Sequence, residues 1–105
     1  MVGGRLAGAN LSGSNLGSAK LAGADLGDSV LAKANPDYAD LSNACLVGAN
    51  LRRVSLFEAK LAYADLRGID PRGAYMHGAD LRWANLEDAD LTGATLTACL
   101  FNEVP

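Results

Sequence analysis

The stretch Leu21-Ala22-Gly23-Ala24-Asp25-Leu26-Gly27-Asp28-Ser29-Val30-Leu31 decides the fold, because its leucines recur every fifth residue. The same beat runs from position 6 to position 101. Of its twenty slots, sixteen hold Leu, the exceptions being Pro36, Pro71, Met76 and Phe101. Two residues before each slot stands a small residue, mostly Ala, as at Ala9, Ala24, Ala49 and Ala59. Between the two comes a short polar residue, often Asp or Asn, as in Ala9-Asn10-Leu11 and Ala79-Asp80-Leu81.

Such internal repetition is read before local propensity, because it sets the whole architecture. An α-helix does not suit it. At about 100° per residue a step of five advances roughly 140°, so the leucines scatter around the cylinder and form no stripe. Twelve glycines, each costing about 1 kcal/mol in a helix interior, oppose the helix further. A flat strand fails because side chains alternate faces with period two, and an odd step sends successive leucines to opposite sides. All leucines point inward only if the chain turns a corner in every repeat. Four such sides close a coil of 20 residues, and the twenty repeats make five stacked coils.

Residues twenty apart are then stacked neighbours. Lys20, Asp40, Lys60 and Asp80 form one such column with alternating sign, and Arg5 over Asp25 and Arg67 over Glu87 repeat the pairing. Opposite charges across neighbouring strands contribute roughly 0.2–1 kcal/mol each, enough to favour a register. Asp70 beside Asp90 and Arg52 beside Arg72 run against the pattern.

The tandem Ala-Asp/Asn-Leu-x-x motif resembles the pentapeptide-repeat family over essentially the whole chain. The resemblance implies an all-β fold, a right-handed quadrilateral parallel β-helix, as a single domain over residues 1–105. The departures are Pro36 and Pro71 in the central slot and Val30, Cys45 and Tyr75 in the Asp/Asn slot. A proline has no amide donor, which breaks coil-to-coil bonding at those two corners.

Composition narrows the function classes. At 105 residues there is room for one domain and no linker. The net charge of −3 is mild. No apolar run reaches membrane-spanning length, no signal peptide is visible, and no membrane partner is expected. Cys45 falls in an outward slot and Cys99 in an inward one, nearly three coils apart, too far for a disulfide. Unpaired cysteines suit a reducing cytoplasm.

Catalytic and metal chemistry find little support. The one histidine, His77, is outward, and its column (Gly17, Asp37, Phe57, Thr97) holds neither Ser nor Cys. A zinc site needs three or four ligands from His, Cys or carboxylates, and one histidine with two distant cysteines does not supply them. The aspartates are spread one per side rather than clustered, so the repeat explains them better than calcium does. No cofactor is implied, and a filled convex rod offers no substrate pocket. The chain reads as a non-enzyme.

The least repetitive surface is aromatic. Tyr63 and Trp83 share a column in adjacent coils, Phe57 and His77 do likewise on the preceding side, and Tyr75 and Arg82 are expected close to both. Trp, Tyr and Arg are enriched in binding hot spots. The group is either a contact patch for a protein partner or a ladder that stabilises coil stacking. Asp80 and Glu58 interrupt the basic residues nearby, which argues against direct nucleic-acid binding. Neither terminus offers a cap of the kind solenoids use, so the chain either self-associates end to end near Phe101 or is part of something longer.

The sequence thus reads as a rigid protein-protein interaction module. The alternative is implied by the family resemblance: some pentapeptide-repeat proteins mimic DNA and bind DNA gyrase and related topoisomerases, giving quinolone protection. Continuous acidic stripes and a longer rod would mark such a mimic, and the mid-chain bases Arg52, Arg53, Lys60, Arg67, Arg72 and Arg82 break any stripe.

Overall fold

The computed structural model describes residues 3–102, coiled into a four-sided parallel β-helix with extents of 37 × 25 × 25 Å. Every β-bridge joins residues twenty apart. One line of them runs Lys20–Asp40–Lys60–Asp80–Leu100 up a single side. The central Leu slot and the small residue before it point inward, and from Leu21 to Leu81 they are buried in one continuous column. Toward both ends the column is only half-buried, as at Leu6, Leu11, Leu86 and Leu96.

The repeat Leu26–Val30 shows how five residues satisfy five amides, an accounting that every buried backbone segment must meet. Leu26 and Asp28 donate to the carbonyls of Cys45 and Val47 in the next coil, at 2.7 and 2.8 Å. Val30 donates to Ala9 in the preceding coil, at 2.9 Å. Ser29 closes the corner by donating to Leu26 at 3.1 Å. The fifth amide, that of Gly27, has no backbone acceptor and donates instead to Oδ1 of Asp25, at 3.1 Å. Asn10, Asn15, Asn35, Asp40, Asn50, Asp80 and Asn85 do the same two residues before their own corners. This explains the Asp/Asn slot. The side chain faces out, as expected, but then folds back onto its own turn, and only a short side chain with an oxygen at that reach can do so.

Each corner is a two-residue turn closed by a bond from the fourth residue to the first, such as Ala24 to Leu21 at 3.0 Å. Its third residue has positive φ, the geometry of a type II turn. All twenty of these positions, from Gly3 to Ala98, have φ between 52° and 79°, and eleven of them are not glycine. Glycine adopts that conformation freely, whereas an L side chain is strained there by roughly 1–2 kcal/mol.

Pro36 and Pro71 sit in the buried column without shifting the frame, and both follow trans peptide bonds. Their missing amides leave gaps in the ladder. Among the described residues no bridge joins Asn35 to Ser55 or Asp70 to Asp90, the pairs those amides would have completed. Beside the first gap Asp37 ties the two coils together. It accepts from the Ser55 hydroxyl and, at 3.0 Å, from the Phe57 amide.

The charge columns keep their register, and two of their residues also pair within their own repeats. Asp80 binds Arg82 in its own repeat, with Nε and Nη2 at 2.9 and 2.8 Å. Likewise Arg67 closes on Asp65, at 2.7 Å. A carboxylate already bound to the amide two residues on lies beside an arginine at that position, and the long stem reaches back at little cost. Asp70 resolves the like-charged stack of Arg52 and Arg72 by accepting from both, at 2.6 and 2.9 Å.

Candidate functional site

Two aromatic groups stand on consecutive corners, separated by the side that carries Lys60 and Asp80. On the first corner Phe57 and His77 stack with centroids 5.5 Å apart and planes 9° from parallel. Tyr75, on the adjoining side, stacks on both at 6.2 Å, and Tyr38 meets Phe57 edge-on at 5.5 Å. On the second corner Tyr63 and Trp83 stack at 5.1 Å with planes 12° apart. The Arg82 guanidinium lies 5.7 Å from the Trp83 ring centroid, within cation–π range.

The six residues expected in one patch therefore form two. Tyr75 joins Phe57 and His77, and Arg82 joins Tyr63 and Trp83. The cause is the coil itself: positions five apart in the frame fall on successive corners, whatever their closeness in sequence. Tyr38, one coil below Glu58 in the same column, turns its ring toward Phe57. Phe101 stands half-exposed at the end of the rod, with its neighbour Leu100 similarly open, at 49% and 48%. Nearby, the Asn102 side chain accepts from the Trp83 amide at 2.7 Å, so the second aromatic corner is tied to the last described turn.

The electrostatics around Trp83 are fixed by Asp80. Its carboxyl is held below the usual carboxylate range, first by the hydrogen bonds from the Arg82 side chain. The guanidinium thus stays charged and immobilised beside the indole. Exposure is high on this corner, 58% for Tyr63 and 54% for Trp83. Both occupy the strained third position of their turns, with φ of 62° and 60°.

The remaining chemistry-bearing residues are dispersed. Nδ1 of His77 lies 2.9 Å from the Thr97 hydroxyl, with Phe57 against its ring, and neither neighbour orients it as a base. Both cysteines are free and half-buried. Burial pushes the Cys99 thiol up, and its Sγ donates to the Met76 carbonyl at 2.9 Å, so it is no thiolate nucleophile. Among the described residues no three of His, Cys, Asp and Glu gather where a metal ion could be held, and no helix is long and apolar enough to cross a membrane.

Comparison with known proteins follows this geometry. The family model described as pentapeptide repeats matches in eight copies, over residues 4–35, 37–70, 55–93 and 72–102. A pentapeptide repeat protein from the thylakoid lumen of Arabidopsis thaliana superimposes with TM-score 0.79 at 24% identity, covering 99% of this chain and 69% of that one. A pentapeptide repeat protein from the cyanobacterium Cyanothece gives TM-score 0.55 at 32% identity, over 89% of this chain and 57% of that one. QnrB1, a plasmid-mediated fluoroquinolone resistance protein, gives only 0.39 at 17% identity, over 94% of this chain and 80% of that one. Among curated protein sequences none matches significantly. With family repeats spanning residues 4–102 and coils that close every twenty residues, this chain belongs to the pentapeptide-repeat family, whose members form right-handed quadrilateral β-helices.

Proposed function

We propose that the chain is a non-catalytic interaction module, a rigid rod that presents Tyr63, Arg82 and Trp83 to a protein partner, with Phe57, Tyr75 and His77 on the neighbouring corner as a secondary contact. The observation that carries this is the exposed Tyr63–Trp83 stack at two strained turn positions. An aromatic pair contributes about 0.5–1.5 kcal/mol beyond its buried area. Holding two L residues at positive φ costs roughly 1–2 kcal/mol each, of which a glycine there would give back about 0.5–1 kcal/mol in chain entropy. The stack and the partial burial of the rings offset that strain, yet Tyr63 and Trp83 stay more than half exposed, which leaves a broad aromatic face open for contact. Rigid, amphipathic rings beside an immobilised guanidinium are what hot spots use.

The test pairs Tyr63→Gly with Trp83→Gly and compares affinity capture from a cell lysate with thermal melting. The reading requires that captured proteins are lost while the melting temperature stays within a few degrees. Identical captured sets would refute it. A large fall in melting temperature would assign the stack to holding the coils together.

The DNA-mimic reading gains no specific support. The corner formed by Lys33, Arg52, Arg53 and Arg72 carries cations where a mimic needs carboxylates. The free, half-buried cysteines accord with a reducing, cytoplasmic setting. The exposed side chains of Leu100 and Phe101 support association of two copies through them as a second mode.

A further inference from the structure

A different corner from the aromatic ones carries a concentration of positive charge. Residues twenty apart bring Lys33, Arg52, Arg53 and Arg72 into three successive coils, spanning about 10 Å along the axis at the inter-strand spacing of ~4.8 Å. They line a groove of about 580 Å³. The groove exists on an otherwise convex rod because small residues stand in the flanking turn positions, Ala32 below Arg52 and Gly73 above Arg53. At Gly73 a Cβ would come within 3.3 Å of Cγ of Arg53, a tight contact that glycine avoids.

Two of the four cations are preorganised. Asp70 receives Nε of Arg52 on Oδ2 at 2.6 Å, and it receives Nε of Arg72 on Oδ1 and Nη2 on Oδ2, both at 2.9 Å. These bonds fix the guanidinium planes, and among the described residues both terminal nitrogens of Arg52 and one of Arg72 have no acceptor. Lys33 and Arg53 have no ion-pair partner among the described residues. Four cations thus face one carboxylate.

We propose that this groove is an anion-binding site for a short acidic segment of a protein partner. The guanidinium fork matches carboxylate geometry, and charge-assisted bonds of this kind are the strong ones. The length of the ligand follows from what surrounds the groove. Setting aside the four cations and Asp70 leaves five Lys and Arg against eleven Asp and Glu, so the rest of the chain is strongly acidic. An extended polyanion such as nucleic acid runs past the three coils and is repelled; two or three carboxylates fit within them. The inference rests on the reading of the rod as an interaction module but uses none of the aromatic residues.

The test is fluorescence anisotropy with a labelled hexaglutamate peptide at low ionic strength, where exposed charges are least screened. The variant is Lys33→Gly/Arg53→Gly, which removes two charges and places at both positions the residue that their own column holds at Gly13, Gly73 and Gly93, all at positive φ. Circular dichroism confirms that it is folded. The proposal expects the peptide to bind the wild type, to bind the variant at least tenfold more weakly, and to bind Trp83→Gly as it binds the wild type. Absence of binding to the wild type, or equal binding to both, overturns it. A dodecathymidylate oligonucleotide or inorganic phosphate that displaces the peptide at equal or lower concentration overturns the assignment to an acidic protein segment. Loss of lysate partners in the aromatic variants with intact peptide binding, or the reverse, tells the two surfaces apart.

Discussion

Ser29 stands in an inward slot that alanine holds in most repeats, and its hydroxyl is fully buried with no hydrogen-bond partner. Its backbone is satisfied, the amide by Leu26 at 3.1 Å and the carbonyl by the Asn50 amide at 2.9 Å, so the oxygen of the side chain is the sole unmet group. Directly below and above in the coil stack lie Ala9 and Ala49, which shows that the slot accepts alanine without rearrangement. A buried hydroxyl left unpaired costs about 1–3 kcal/mol. Replacing Ser29 with Ala removes that cost and leaves a void no larger than a water-sized sphere of about 10–15 Å³. At roughly 24 cal/mol per Å³ the void costs about 0.2–0.4 kcal/mol. Ser29→Ala is therefore expected to stabilise the chain by about 1–2 kcal/mol, and each kcal/mol raises the melting temperature of a domain this size by about 4–8 °C. Urea unfolding followed by circular dichroism reads the change as a higher midpoint at unchanged slope. Ser14→Ala is the control, since Ser14 holds the same slot in the first coil but is only half-buried, and a change within about 0.5 kcal/mol is expected there. A neutral or destabilising Ser29→Ala would refute the reasoning.

Leu56→Asp places an unpaired charge in the leucine column, where Leu56 is 1% exposed, and is expected to abolish folding; a wild-type melting curve would overturn the inward assignment. Asp40, Asp65 and Asp80 are held below the usual carboxylate range, Asp40 chiefly by the Ser42 amide and the other two chiefly by Arg67 and Arg82. A depressed folded pKa adds stability above the unfolded value of about 3.9 and loses it as pH falls through the folded value. Replacing all three with Asn keeps the turn cap and removes the titration, so the fall in melting temperature between pH 6 and pH 3 should shrink; an unchanged fall assigns acid sensitivity to other carboxyls. If the rods pair end to end through the open last coil, the molar mass by light scattering rises with concentration, and Phe101→Asp returns it to that of a monomer. A wild-type monomer at every concentration removes Phe101 from any interface.

The leucine frame was legible because its physical cause, one inward corner per five residues, leaves no other periodicity that buries every leucine. The twenty-residue closure followed by counting sides, and every bridge has that spacing. The role of Asp25 or Asn50 as the acceptor for a turn amide was not, although the preference for Asp and Asn over other polar residues carried the signal. The charge column Lys20–Asp40–Lys60–Asp80 keeps the register read from the sequence, but not visible there was that a short carboxylate such as Asp65 or Asp80 also satisfies its own turn and the arginine beside it. The basic groove lay in plain sight, with Lys33 twenty before Arg53 and Arg52 twenty before Arg72. Charge alternation hides it, since in that frame the second pair is only an exception. The aromatic residues were placed in the right columns but joined across the side, carrying Lys60 and Asp80, that the coil keeps between their two corners.

The two nested spacings of the coil have unequal consequences for insertion and deletion. Gaining or losing five residues within a loopless chain of this kind leaves every later leucine pointing inward, so the core persists. Every later side chain nevertheless moves by one corner, on for a gain and back for a loss. A gain upstream of Lys60 would carry Tyr63 and Trp83 to the corner where Arg67 now stands, and either event between Arg53 and Arg72 would split the basic groove while sparing its parts. Gaining or losing twenty residues restores each column and alters only the height between features. The fold is thus indifferent to insertions of one repeat, while its surface tolerates them only by the full coil.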